Sequence, residues 1–178
     1  MSVRYRPLAG WSLIELMTGL AVIAILLCLS IPSFASLIQK QKINSAARDL
    51  LAAITLTRSE AIRRGERVDL VPADGVDWAN GWLIFVDAND NRSADADEKI
   101  IHAHGAVGNG IAIKSLMTDS STPYVAFAAS GHSQVRGARQ TPQAGHIALT
   151  LAGQQRRIIL NFSGRPRLCN PDTEAGCG

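Results

Sequence analysis

The chain has 178 residues, 47% of them hydrophobic, and a formal charge of +3. That is room for one ordinary domain plus an appendage, with enough apolar content to bury a real core, and it excludes two full domains. The charges are unevenly placed. Between Asp69 and Glu98 lie eight acids and one base, Arg92, whereas no acid occurs between Asp119 and Asp172, an interval holding six arginines: Arg136, Arg139, Arg156, Arg157, Arg165 and Arg167. Such a directional field suits a polyanionic partner, and its plainer reading is a basic solvated face.

Residues 1–10 are short and basic and end in Gly10. From Leu13 to Ile31 almost every side chain is apolar, interrupted by Glu15, Thr18, Gly19, Cys28 and Ser30. The run approaches the ~20 residues that a bilayer-crossing helix needs. A plain anchor leaves the carboxylate of Glu15 unexplained, because burying it is costly. A secretory signal peptide would use Arg4 and Arg6 as its basic region and cleave after Ala35, but the run exceeds the usual ~7–15 apolar residues and carries Glu15.

Gly10-Trp11-Ser12-Leu13-Ile14-Glu15 resembles the class III signal of type IV pilins and type II secretion pseudopilins, typically Gly-Phe-Thr-Leu-(Ile/Val)-Glu, with Trp11 and Ser12 as same-type replacements. The resemblance implies cleavage between Gly10 and Trp11 by a prepilin peptidase and methylation of the new terminus. It also implies residence as a single-pass protein of the inner membrane with a periplasmic head, followed by assembly with other pilins into a surface filament. Glu15 would then pair with the terminal ammonium of a neighbouring subunit and set register. Pro32 matches the family and predicts a kink or local melting.

From 33 to 64 the apolar positions Ile43, Ala47, Leu50, Leu51, Ile54, Ala61 and Ile62 recur at helical spacing. Glu60 and Arg64 form an i,i+4 pair, and Gly65 is a helix stop. One helix over 11–64 is therefore predicted, with 13–31 as its transmembrane or filament-core part. The remainder, 65–178, reads as a β-rich head. Strands are predicted at 67–71, 82–86, 99–102, 110–115, 124–127, 146–150 and 157–162, punctuated by Asp74-Gly75, Asn80-Gly81, Gly108-Asn109-Gly110, Ser130-Gly131 and Ser163-Gly164. The class is α+β: a long helix packed on antiparallel sheet, in one sheet or two. The stretch from Trp82 to Asn91, then 127–131, then a closing strand, resembles the FimT/GspH branch of minor pilins and pseudopilins.

Gly164-Arg165-Pro166-Arg167 is similar to the Gly-Arg-x-Arg element of FimT-type pilins, which implies DNA binding for uptake in natural transformation. The chemistry agrees. Gly164 permits close approach of a ligand, Pro166 stiffens the segment, and residues two apart in an extended chain share a face. Arg156, Arg157, Arg136 and Arg139 widen the footprint if the fold gathers them. No base-reading signature accompanies them, so the contacts implied are phosphate contacts. The alternatives are solvated arginines at a strand end and, for the chain as a whole, a structural minor pseudopilin of a type II secretion system or a pilus-priming subunit.

Residues 87–98 carry acids and amides at EF-hand-like offsets, but Arg92 stands where glycine is required, which favours a hydrophilic hairpin loop. His102 and His104 do not complete a metal site. Ser130-Gly131-His132-Ser133 lacks a placed acid and oxyanion hole. No enzyme, metal or cofactor is therefore expected. Cys169 and Cys177 flank a short C-terminal loop and in an oxidising compartment would form a bridge pinning the tail; zinc is the weaker reading.

Overall fold

The structure is a computed structural model describing residue 10 and residues 12–108, 110–138 and 141–177, the side chains of 27–33 excepted. The leader residues 1–9, Trp11 and Arg139 therefore lie outside the described residues. Two compact units are present, Met1–Ile38 and Gln39–Gly178.

Helix α1 spans Leu13–Arg64. Its first turn is closed by a reciprocal capping box: the Glu15 amide donates to Ser12 Oγ at 3.3 Å and the Ser12 amide to Glu15 Oε2 at 3.4 Å. Glu15 thus caps its own helix in the single chain. The helix is continuous through position 32, so Pro32 does not melt it. Among the described residues no helix is long and apolar enough to cross a membrane, and the expected span 13–31 runs into side chains outside the description. At the far end Gly65 adopts φ +69° and donates its amide to the Ala61 carbonyl, the left-handed cap that glycine allows. Arg63 and Arg64 both bond Glu60, at 2.5 and 2.7 Å, and hold its carboxyl down at about 2.

In the second unit the helix buries one stripe: Ile43, Ala46, Ala47, Leu50, Ala53, Ile54, Thr57 and Ala61. The spacings of three and four put these residues on one face. The Thr57 hydroxyl is satisfied by the Ala53 carbonyl at 2.7 Å. Ile62, predicted for that face, is 53% exposed.

Eight strands follow: β1 Val68–Pro72, β2 Trp82–Val86, β3 Ile100–His104, β4 Ala112–Met117, β5 Val125–Phe127, β6 Gly145–Leu151, β7 Gln154–Leu160 and β8 Pro166–Cys169. They form two antiparallel four-stranded sheets, ordered β3-β2-β1-β5 and β4-β6-β7-β8. Seven correspond to predicted strands, β2 with the bounds predicted and the other six with shifted ends. β8 is additional. Its sequence, Pro-Arg-Leu-Cys, carries no apolar alternation, and Pro166 is tolerated because it opens a strand at the sheet edge.

Alternate residues of both sheets meet the helix stripe in one core, including Val68, Leu70, Trp82, Ile84, Val125 and Phe127 from the first sheet and Ile113, Ile147, Leu149, Ile158 and Leu160 from the second. The first sheet is also covered on its other face, where Val71, Phe85, Tyr124 and Ala126 form a smaller cluster with Leu83 and Ala94. Double coverage is why every β1 residue is buried, Asp69 among them.

Asp69 is held by Arg67 through two bonds, Nε to Oδ1 at 2.7 Å and Nη2 to Oδ2 at 2.9 Å, while Arg67 Nη1 reaches Asp90 at 2.5 Å and Nε lies 3.8 Å from Asp87. One guanidinium therefore serves three carboxylates. Burial pushes Asp69 up from its ordinary 3.8 to about 7, against the pull of Arg67 and with Asp87 adding to the rise. Because the folded value is the higher one, the folded chain keeps a proton that the unfolded chain releases, and stability falls as pH rises through the window from about 4 to about 7. The melting temperature is expected to fall as pH is raised across that window, with a free-energy slope of at most about 1.4 kcal/mol per pH unit. Asp69→Asn should flatten the slope in a pH series of thermal melts; an unchanged slope assigns the proton elsewhere.

Candidate nucleic-acid interface

The β7–β8 connection, 161–165, is a turn closed by one side chain. Asn161 Oδ1 accepts from the Ser163 amide at 3.1 Å, the Ser163 hydroxyl at 2.8 Å and the Arg165 amide at 2.8 Å, while its backbone amide donates to the Arg165 carbonyl at 3.3 Å. Short polar side chains close turns in this way. Gly164 sits at φ +73°, and a Cβ there would lie 2.8 Å from the Ser133 amide nitrogen and 2.9 Å from Phe127 Cε1. Gly164 is buried, so its missing side chain serves packing against 127–133 rather than access for a ligand. The turn carries Arg165 outward: it is exposed, and its guanidinium has no hydrogen bond or ion pair among the described residues.

The other described arginines between 136 and 167 are engaged. Arg167, on β8, donates through Nη2 to the Gly176 carbonyl at 2.5 Å, and its Nη1 lies 4.0 Å from Glu174. The stretch that is acid-free in sequence is therefore not acid-free in space, because the C-terminal loop folds back on it. Arg157 donates through Nη1 to the Cys177 carbonyl at 3.0 Å, and its Nε is enclosed without a partner. Arg156 and Arg157 are adjacent on β7 and so point to opposite faces; Arg156 bonds Asn44 of α1 at 2.6 Å. Arg136 donates to the Asp90 carbonyl at 2.8 Å and is held against the acidic loop. The fold thus brings Arg157, Arg165 and Arg167 to the β7–β8 end of the second sheet, and turns Arg156 to the helix and Arg136 to 87–98.

Several side-chain oxygens of residues 87–98 are spent on amides within the loop itself. Asp87 accepts from the amides of Asn91 and Arg92 at 3.1 and 3.0 Å, Glu98 from Ala88 at 2.9 Å, and Asp95 from the Asn89 and Asn91 side-chain amides at 2.8 and 2.7 Å. Among the described residues no group of three or more His, Cys, Asp or Glu is placed to hold a metal ion. On the edge strand β3, His104 stacks on Trp82 with ring centroids 4.1 Å apart.

Sequence reasoning missed Phe162. Counted as the end of a strand, it would alternate inward with Leu160; instead β7 ends at Leu160 and Phe162 is 73% exposed in the turn. The signal was present in Asn161, two residues before Ser163-Gly164.

Cys169 and Cys177 are joined by a disulfide, Cα atoms 5.8 Å apart, and both are buried. The bridge holds the carbonyls of Gly176 and Cys177 against Arg167 and Arg157. For a separation of eight residues, loop-closure entropy predicts that removing it costs about 2–3 kcal/mol. Denaturant melts with and without reductant should show that loss, and mass spectrometry of non-reduced protein should show the two cysteines linked. Free thiols in freshly prepared protein kept under oxidising conditions would contradict the bridge.

A helix shared by two antiparallel sheets in this order defines a type IV pilin-like fold of the minor pilin and pseudopilin kind. The chain belongs to the family described as Type II transport protein GspH, whose model matches residues 46–164. It is 31% identical over 160 residues to the pilin-like protein PilA1 of Thermus thermophilus, covering 89% of this chain and 97% of that one. In fold it is similar to the type IV minor pilin FimU of Pseudomonas aeruginosa, with TM-score 0.56, 20% identity, 76% of this chain and 93% of that one. It is also similar to the minor pseudopilin EpsH of the Type 2 Secretion System of Vibrio cholerae, with TM-score 0.53, 13% identity, 73% of this chain and 98% of that one.

Proposed function

We propose that this minor pilin binds extracellular DNA non-specifically through the turn bearing Arg165, for uptake in natural transformation. The observation that carries the reading is Arg165 itself: an exposed guanidinium without a partner among the described residues, on a turn whose backbone is clamped by Asn161. A pre-set turn loses little entropy when it engages a phosphate, and guanidinium suits phosphate geometry. Arg167 and Arg157 stand near and offer further donors once the tail carbonyls yield. The reading rests on these residues and not on the family match, which ends at Gly164.

In this reading the leader is removed between Gly10 and Trp11 by a prepilin peptidase, the helix resides in the inner membrane before assembly, and Glu15 exchanges its capping bond to Ser12 for the terminal ammonium of a neighbouring pilin. The second reading, a structural minor pseudopilin or priming subunit without DNA binding, is favoured by the number of arginines tied up internally.

Full-length protein in detergent should bind duplexes of unrelated sequence about equally, with affinity falling steeply with salt at about −0.9 in log–log slope per phosphate contact. Arg165→Gln should weaken every sequence alike and flatten the slope by about one contact, and Arg167→Gln should do less, because that side chain is already bonded to Gly176. The double variant should lose transformation while folding and assembling normally, since exposed arginines contribute little to stability. Parental binding and transformation by the double variant would leave the pseudopilin reading. Separately, Gly10→Val should strand an uncut precursor in the membrane; mature protein beginning at Ser36 would establish ordinary signal-peptidase processing instead.

A further inference from the structure

Beside the arginine turn lies an open cleft of about 320 Å³, lined chiefly by His146, Ile159, Phe162 and the bridged Cys177. Its floor follows from strand register. His146 pairs with Ile159, and Ile159 with Arg167, so the three stand in one row across β6, β7 and β8 on the same face. The row below places Arg157 beside Cys169. Phe162 forms a wall at the turn, 73% exposed and three residues before Arg165. The fold therefore sets an apolar, ring-bearing recess among three arginines, in a place where the core makes no use of the aromatic side chain.

We propose that this cleft takes an unstacked nucleobase, so that single-stranded DNA is the tighter ligand of the arginine turn. The inference rests on the DNA-binding reading and goes beyond it, because phosphate contacts alone do not separate single strand from duplex. A single strand brings, at each nucleotide, one phosphate for a guanidinium and one flat apolar face for Phe162. Aromatic side chains beside a basic track are how single strands are held without reading sequence. In a duplex the bases are stacked and paired, and only their edges are accessible from the grooves. His146 fits the role: burial and the neighbouring Arg157 lower its tendency to protonate, which keeps the ring neutral for stacking. A polypeptide occupant would instead have to supply carboxylates to Arg157, Arg165 and Arg167. Glu174, which lies against Arg167, also accepts from the Asn170 amide.

The test uses full-length protein in detergent and three fluorescent probes of one sequence: the single strand, its duplex, and the single strand with abasic sites, which keeps the phosphates and removes the bases. At about 200 mM salt, where the phosphate contribution is weakened, the single strand should bind about tenfold tighter than the duplex or the abasic strand. Phe162→Ala should erase that difference while leaving duplex affinity unchanged, and Phe162→Trp should keep it. The side chain is mostly exposed, so neither change threatens the fold. Equal affinity for all three probes, with Phe162→Ala silent and Arg165→Gln still weakening every one, overturns the cleft while the DNA reading stands. No binding of any probe overturns both. Unchanged DNA affinities together with loss of pilin co-assembly in Phe162→Ala assign the cleft to a neighbouring subunit and overturn the proposal.

Discussion

The second unit depends on one helical stripe. Ile43, Leu50, Ile54 and Ala61, with the alanines between them, are the surface on which both sheets close. Each sheet leaves an apolar inner face that its own strands cannot bury, and burial of such area is the dominant favourable term in folding. The stripe also locates the arginine turn through a chain of contacts. Arg58, on the same helix, donates to the Gly131 carbonyl at 2.9 Å, and that carbonyl would lie 3.1 Å from a Cβ on Gly164. The residue that follows is Arg165. The turn is thus positioned by the helix through the 128–133 loop, not left to the flexibility of a hairpin end.

The charges divide by what they satisfy. Arg67 serves three carboxylates at once, and removing it leaves the buried Asp69 and Asp87 without that countercharge. Arg92 covers the Tyr124 ring, 4.9 Å from its centroid, and reaches Asp119 at 3.4 Å, pinning the acidic loop over the outer face of the first sheet. Arg156 and Arg136 stitch β7 to the helix and the 136 segment to that loop. A count of arginines in sequence therefore overstates the positive surface. Among the described arginines between 136 and 167, what separates Arg165 is a guanidinium with no protein acceptor.

Much of the fold was legible because its signals are local. The helical spacing over 43–62, the Gly65 stop and the turn dipeptides set the order of one helix and seven strands, and the family resemblance supplied the architecture. β8 was not legible, because a strand of Pro, Arg, Leu and Cys has no alternation of its own and exists by pairing with β7 and by its bridge to the tail. The buried acids were not legible either. Asp69 and Asp87, both buried, counted in sequence only as two of the eight acids of an acidic end, and it is the covering of β1 on both faces that turns Asp69 inward to Arg67. At the candidate site the motif was visible but its division of labour was not. That Gly164 serves packing, that Arg167 is occupied by the tail and that Phe162 faces solvent all follow from contacts between segments more than 8 residues apart or from where β7 ends.

The occupied arginines bear on how strong a single site can be. Arg157 and Arg167 each donate to a backbone carbonyl that the disulfide holds in place, so a phosphate that takes either guanidinium must share it with that carbonyl or displace the bond. A charged acceptor is stronger than a neutral carbonyl, which makes the exchange favourable but smaller than a first contact. Among the described arginines of this stretch, Arg165 alone engages without such competition. On the proposed DNA-binding reading, one free contact and two shared ones would amount to weak binding per subunit, since non-specific affinity grows with the number of phosphates neutralised. Weak sites suit a filament. Several subunits along one strand would raise the effective concentration of each site and hold DNA by avidity, while each contact stays loose enough to release it. A minor pilin bearing a single strong site would gain capture and lose that release.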